Sequence, residues 1–194
     1  FGLGEVPGPL AIVVSRLTWQ KGIDLLAEAL PGFIAAGGGL VLLGSGEPHL
    51  ESAMKAAAAR WPARVGVRIG YDEALSHRMF GGGDAVIVPS RFEPCGLTQM
   101  YGLKYGAVPV VAATGGLNDT VIGATPASLA ANAATGISFH PVDTIALSGA
   151  LRQLIALHAD HSGWIQMVKR AMKAEVSWAA PAKAYADLYR SLLA

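Results

Sequence analysis

The chain has 194 residues, enough for one domain and an appended helix or two, and 52% of them are hydrophobic, which supplies a sizeable core and argues against disorder. A net charge of +1, with both signs scattered, makes no field for nucleic acid or an anionic membrane, so any anion must be held locally. One cysteine excludes an internal disulfide and suits a reducing, cytoplasmic setting; apolar runs stop well short of the ~20 residues a membrane span needs.

The opening "FGLGEVPGPL" reads as a linker entering a strand, with no signal-peptide pattern, and with no initial Met the chain is expected to be a fragment whose N-terminal portion is absent. Short β-branched runs follow at 10–15, 40–43, 65–69, 84–88, 107–112 and 136–139, separated by Ala/Leu-rich stretches. Ile23, Leu26, Ala27 and Leu30 form the stripe of a half-buried helix, and Leu50, Met54, Ala57 and Ala58 repeat the idea. Strand runs that are apolar throughout, spaced by helical segments, predict a parallel sheet covered on both faces. Right-handed crossovers then align the strand C-terminal ends along one edge, where ligands of such folds sit. The stretch 118–135 lacks periodicity and is expected to be a surface loop. Beyond residue 140 the pattern is helical only, over 143–158, 162–174 and 178–193. The last segment carries Tyr185, Leu188, Tyr189 and Leu192 on one face, which either covers the domain's own sheet or docks on a missing domain. The expected division is therefore 1–175 for the sheet domain and 176–194 for a C-terminal helix.

Chemistry concentrates after the strands. In "SRLTWQKG" (15–22), Arg16 and Lys21 flank a loop at the ligand edge and are read as a diphosphate clamp, Arg as a fork and Lys as a point charge; two solvated surface charges are the bland alternative. "SRFEPCGLTQ" (90–99) leads into a helix expected to begin near Leu97. Free N–H groups of Leu97 and Thr98 there favour a phosphate, and Gly96 permits close backbone approach. Glu93 can accept two hydroxyl protons from a polyol, or serve merely as a helix cap. Cys95 reads as a small buried thiol with no neighbouring His to activate it, hence no nucleophile. Tyr71, in "IGYDE", can stack on a nucleobase or pack its loop. In "TGGLNDTV" (114–121), Gly115 and Gly116 allow close approach of a ligand, while Asn118 or Asp119 caps a helix or touches a sugar; a plain turn explains the segment equally. The G-x-G at 44–46 lacks the third glycine of the dinucleotide fingerprint, His49 standing there, so an NAD site is weakly supported. His158 and His161 share a helix face, with no cysteine or carboxylate pair to complete a zinc site, and no metal is expected.

"SRLTWQKG", "IGYDE", "PSRFEPCGLTQMYGLKYG" and "TGGLNDTV", in this order and spacing, closely resemble the C-terminal domain of bacterial glycogen synthases and plant starch synthases, over nearly the whole chain. The resemblance implies an α/β fold, a Rossmann-like three-layer sandwich with a six-stranded parallel sheet, one half of a GT-B architecture, plus C-terminal helices. It implies a retaining transferase that moves glucose from ADP-glucose to the non-reducing end of an α-1,4-glucan, with an N-terminal domain as partner and no cofactor. Within it, Arg16 and Lys21 look like the cations that stabilise departing ADP, Glu93 like the glucose ligand and Tyr71 like the base-stacking residue. Ser15, Cys95, Gly96, Leu97, Thr98, Gly115 and Gly116 complete the implied donor-binding set. A front-face substitution, with the leaving diphosphate assisting the incoming hydroxyl, is the mechanism it implies.

Two departures matter. Related transferases carry a second glutamate eight positions after the first, where this chain has Tyr101, as glycogen and starch synthases do. The family's N-terminal K-x-G-G-L motif does not occur, so this chain is expected to bind donor weakly and transfer nothing. Sucrose- or trehalose-forming transferases of the same architecture, and a non-catalytic nucleotide-sugar binding module, are the rival readings.

Overall fold

The computed structural model describes residues 1–193. Its sheet has six parallel strands: β1 (Leu10–Val14), β2 (Gly39–Gly44), β3 (Val65–Ile69), β4 (Ala85–Val88), β5 (Val108–Ala112) and β6 (Ile137–Phe139). Each lies within a residue or so of the run expected from the sequence. The strand order is β3-β2-β1-β4-β5-β6. The chain therefore winds outward from β1 in one direction, then returns to start again at β4, and the β1/β4 boundary is the topological switch point where a crevice opens.

Strand residues alternate between two cores. Ala11, Val13, Leu40, Leu42, Ile87 and Val110 face one layer, which includes Leu26, Leu30 and Phe33 of α1 (Ile23–Ala35) and Met54 of α2 (Pro48–Arg60). Ile12, Val41, Leu43, Val86, Val88 and Val111 face the other, against Met79 and Phe80 of α3 (Glu73–Gly82). Both pleat faces are thus apolar, which is why the runs show no polar alternation.

α4 spans Thr98–Tyr105, with Leu97 as its N-cap residue, one position later than the sequence placed its start. Two short helices, α5 (Gly115–Thr120) and α6 (Pro126–Ala130), correct the reading of 118–135 as loop. Each is too short to show a 3.6-residue period. The signal for α6 is instead its capping box, in which the Thr125 side chain and the Ser128 hydroxyl satisfy each other's backbone N–H, followed by Pro126 in the first turn. Asn118 and Asp119 lie within α5 and are exposed; Thr114 holds its N-cap position.

α7 (Thr144–Ala159) packs on α1 and β6, and α8 (His161–Lys173) on α4 and α7. Asp160 separates them and caps α8, its carboxylate accepting from the Gly163 N–H at 3.2 Å. His158 and His161 therefore sit on different helices, not on a shared face. α9 (Ala179–Leu192) leaves Tyr185, Leu188, Tyr189 and Leu192 exposed, so of the two roles read for that face, covering the domain's own sheet is ruled out. Among the described residues no helix is long and apolar enough to cross a membrane.

Candidate functional site

At the switch point, the ends of β1 and β4 diverge and leave a hollow of about 310 Å³. Ser15 and Lys21 line it from the β1–α1 side; Ser90, Glu93, Leu97 and Thr98 line it from the β4–α4 side. Lys21 lies in a 3-10 turn (Trp19–Lys21) that Gly22 closes in the left-handed conformation, φ 67°. Its ammonium is paired with Oε2 of Glu93, and the same oxygen accepts a bond from the Ser90 hydroxyl at 3.1 Å. Both side chains are largely buried, 17% and 10% exposed, so neither is a solvated surface charge. The bland alternative for Lys21 is thereby removed.

Below the acid, the first turn of α4 opens on the hollow through Leu97 and Thr98, and its N–H groups have no partner within the helix. The turn before it is held from beneath. The buried Gln99 amide nitrogen lies within hydrogen-bond reach of the carbonyls of Cys95 and Gly96, each at 3.0 Å, and of Thr120 Oγ1 at 3.2 Å, and shares its two hydrogens among them. Gly96 adopts φ 73°, which a side chain would strain. Cys95 is exposed, not buried as its type led one to expect, and lies outside the hollow's lining.

Gly115 and Gly116 act on the same turn. A Cβ on Gly115 would lie 2.2 Å from the Glu93 carbonyl oxygen, and one on Gly116 2.3 Å from that of Cys95. The Gly116 N–H also donates to the Glu93 carbonyl at 3.0 Å. These glycines permit the close approach of the 93–95 backbone.

Arg16 and Tyr71 belong to a second hollow, of about 250 Å³, that shares Val14 and Ser15 with the first. Arg16 is exposed, its guanidinium donating to Gln20 Oε1 at 3.3 Å. Tyr71 is 87% exposed, and the Glu73 carboxylate beside it holds its phenol above the ordinary range. Gly44, Ser45 and Gly70 form the opposite wall. The G-x-G at 44–46 finds its reason here: a Cβ on Gly44 would sit 1.9 Å from the Ser15 carbonyl oxygen, and one on Gly46 2.2 Å from that of Leu17. Those glycines let the β2–α2 loop pass under the β1–α1 loop. So Lys21, Glu93, Ser15, Gly96, Leu97 and Thr98 meet in one hollow, Arg16 and Tyr71 lie next door, and Cys95, Gly115 and Gly116 shape the turn between.

Sequence reasoning missed four residues. Ser90 and Gln99 carry no motif of their own; their roles appear only once the turn is built. Arg91 and Asp24 form a bidentate ion pair, Nη1 to Oδ1 at 2.7 Å and Nη2 to Oδ2 at 2.6 Å. Each partner stabilises the other's charge, so Asp24 titrates below the ordinary carboxylate range and Arg91 above the ordinary guanidinium. Among the described residues no three His, Cys, Asp or Glu side chains gather as a metal-holding group.

The family model described as "Glycosyl transferases group 1" matches residues 8–156. The chain belongs to the group 1 glycosyl transferases. Within this family it is 65% identical over 190 residues to a glycogen synthase of Cereibacter sphaeroides (strain ATCC 17025), covering 98% of this chain and 40% of that protein. It is 59% identical over 194 residues to the glycogen synthase of Paracoccus denitrificans, covering 100% of this chain and 41% of that protein. The chain thus spans about two fifths of the length of the curated relatives it matches. Among solved structures, the catalytic domain of starch synthase IV from Arabidopsis thaliana, bound to ADP and acarbose, superposes with a TM-score of 0.88 at 35% identity, covering 98% of this chain and 40% of that one. These likenesses bear out the resemblance and the Rossmann-like α/β fold expected from the motifs, that of one half of a GT-B glycosyltransferase.

Proposed function

We propose that this group 1 transferase chain is the donor-binding domain of a glycogen synthase, which moves glucose from ADP-glucose to the non-reducing end of an α-1,4-glucan. The observation that carries the reading is the meeting of Lys21 and Glu93, from loops 72 residues apart, at the mouth of α4. A cation, a helix N-terminus and a carboxylate converging on one small hollow suit a pyrophosphate joined to a sugar. The identity to glycogen synthases and the ADP in the starch synthase IV structure support ADP-glucose in particular.

In this reading the diphosphate draws Lys21 toward its oxygens and frees Glu93 to accept from glucose hydroxyls, while Arg16 covers the pyrophosphate from the neighbouring hollow. Tyr71, so exposed, offers a ring face to the adenine. As the bond from the anomeric carbon to the distal phosphate oxygen breaks, the growing negative charge on ADP is stabilised by Lys21, Arg16 and the N–H groups of Leu97 and Thr98. The bond to the acceptor hydroxyl forms on the same face, and that hydroxyl's proton passes to the departing phosphate oxygen. The reading asks for no metal, since the cationic side chains supply the charge. The acceptor half would come from an N-terminal domain, against which the apolar face of α9 would dock, and the enzyme would be cytoplasmic.

Titration calorimetry with ADP, UDP and NAD tests the donor assignment on the 194-residue chain. Binding of ADP in preference to the other two is expected; equal silence from all three would overturn it.

A further inference from the structure

We propose that Arg91 is a positioning residue that locks the cation-bearing loop to the acid-bearing loop, so that Lys21 and Glu93 keep their spacing when a donor separates them. The inference rests on the donor-binding reading above and adds to it the device that preorganises the site. Lys21 and Glu93 now hold each other, yet that bond is the one a diphosphate must break. Something that does not touch the ligand has to keep the two loops in register afterwards.

Arg91 does so from both sides. It lies two residues before Glu93, and its backbone N–H donates to the Gln20 carbonyl at 2.9 Å, next to Lys21. Its guanidinium donates to the Trp19 carbonyl at 2.6 Å and grips Asp24, in the first turn of α1, with both ends of the fork. The guanidinium carbon also stacks over the Trp19 ring, 4.4 Å from its centroid. The Gln20 amide returns a bond to the Phe92 carbonyl at 3.3 Å. Gly22 lets the loops close, since a Cβ there would stand 2.0 Å from the Pro89 carbonyl oxygen. Neither Arg91 nor Asp24 lines either hollow, so their effect must pass through the residues they hold. Only a planar, forked cation fills all these contacts together; a lysine supplies one point charge and no stacking plane.

A double-mutant cycle on ADP binding tests this. Arg91→Ala is expected to weaken ADP about tenfold in the parent chain, the scale of a misplaced binding group. In the Lys21→Ala background the same change should stay within about twofold, because Arg91 acts through Lys21. Arg91→Lys should weaken binding nearly as much as Arg91→Ala. An equal loss in both backgrounds, or full affinity in Arg91→Lys, overturns the proposal. If Arg91→Ala does not fold, Asp24→Asn, which keeps the shape and removes the charge, enters the same cycle. Hydrogen exchange without ligand is read alongside: exchange in 16–22 and 90–98 should quicken together in the variant while β2 and β5 stay protected, and unchanged exchange in both loops overturns the lock. Should the parent chain fail to bind ADP, the donor reading falls by itself and the exchange result alone decides on Arg91.

Discussion

At the residue scale, Lys21 and Glu93 show how a site can be charged without being costly. Each is largely withdrawn from water, where an unpaired charge would be strongly penalised, and each compensates the other. A diphosphate would compete for the same ammonium. In a full-length glycogen synthase carrying this segment, Lys21→Ala should lower kcat by roughly 10²-fold, the size of one lost electrostatic stabiliser of the leaving group. Steady-state rates at saturating donor check this, and an unchanged kcat would reassign Lys21 to ground-state binding. Asp24 supplies a pH signature. Hydrogen bonding to Arg91 first, and its charge besides, depresses the Asp24 pKa below its usual 3.8. A carboxyl with a depressed folded pKa stabilises the fold above its unfolded value and loses that contribution as pH falls through the folded one. The melting temperature should therefore drop below about pH 4 more steeply in the parent chain than in Asp24→Asn, which has no such proton to gain. Parallel acid slopes in the two proteins would remove Asp24 from the account.

At the scale of elements, long apolar runs were legible and short polar joints were not. β1, β2 and β5 announce themselves because both faces are buried, and α1 because Ile23, Leu26, Ala27 and Leu30 lie on one side. α5 and α6 escape any periodicity argument, since five or six residues complete less than two turns. The "TGG" signal was visible, but its meaning depended on which backbone would lie above it. That backbone is the 93–95 turn, and the dependence can be measured. Gly116→Ala pushes a methyl into the Cys95 main chain, whose Cα would be 2.6 Å away. Overpacking of this kind costs about 1–3 kcal/mol. Thermal unfolding should show a fall of about 2–4 °C per kcal/mol, with weaker ADP binding because the turn carries the Leu97 and Thr98 amides. A variant with parental melting and parental affinity would show that the turn can yield.

At the scale of the whole molecule, the parallel sheet and its ligand edge could be read from alternating strand and helix runs alone, whereas the pairing of β1 with β4 could not. That pairing brings the 15–22 loop against the 89–99 loop, and with it every candidate residue named at the first hollow. Arg91 and Asp24 were illegible for the same reason, being ordinary charges until the two loops meet. The relatives at 65% and 59% identity are matched over 40% and 41% of their own sequences, and the acceptor half proposed above would lie in the remainder. α9 meanwhile exposes Tyr185, Leu188, Tyr189 and Leu192, with Leu192 74% accessible, a costly face to leave in water unless another domain covers it. The domain alone is accordingly expected to hold ADP yet incorporate no radiolabelled glucose into glycogen. Mixing it with the separately expressed remainder of a full-length enzyme should restore incorporation, and Leu188→Asp with Tyr189→Asp should abolish that rescue while leaving ADP affinity within about twofold, because no α9 residue lines either hollow. Incorporation by the domain alone would show that one half of the cleft suffices for transfer, and rescue untouched by the two aspartates would free α9 from any part in joining the halves.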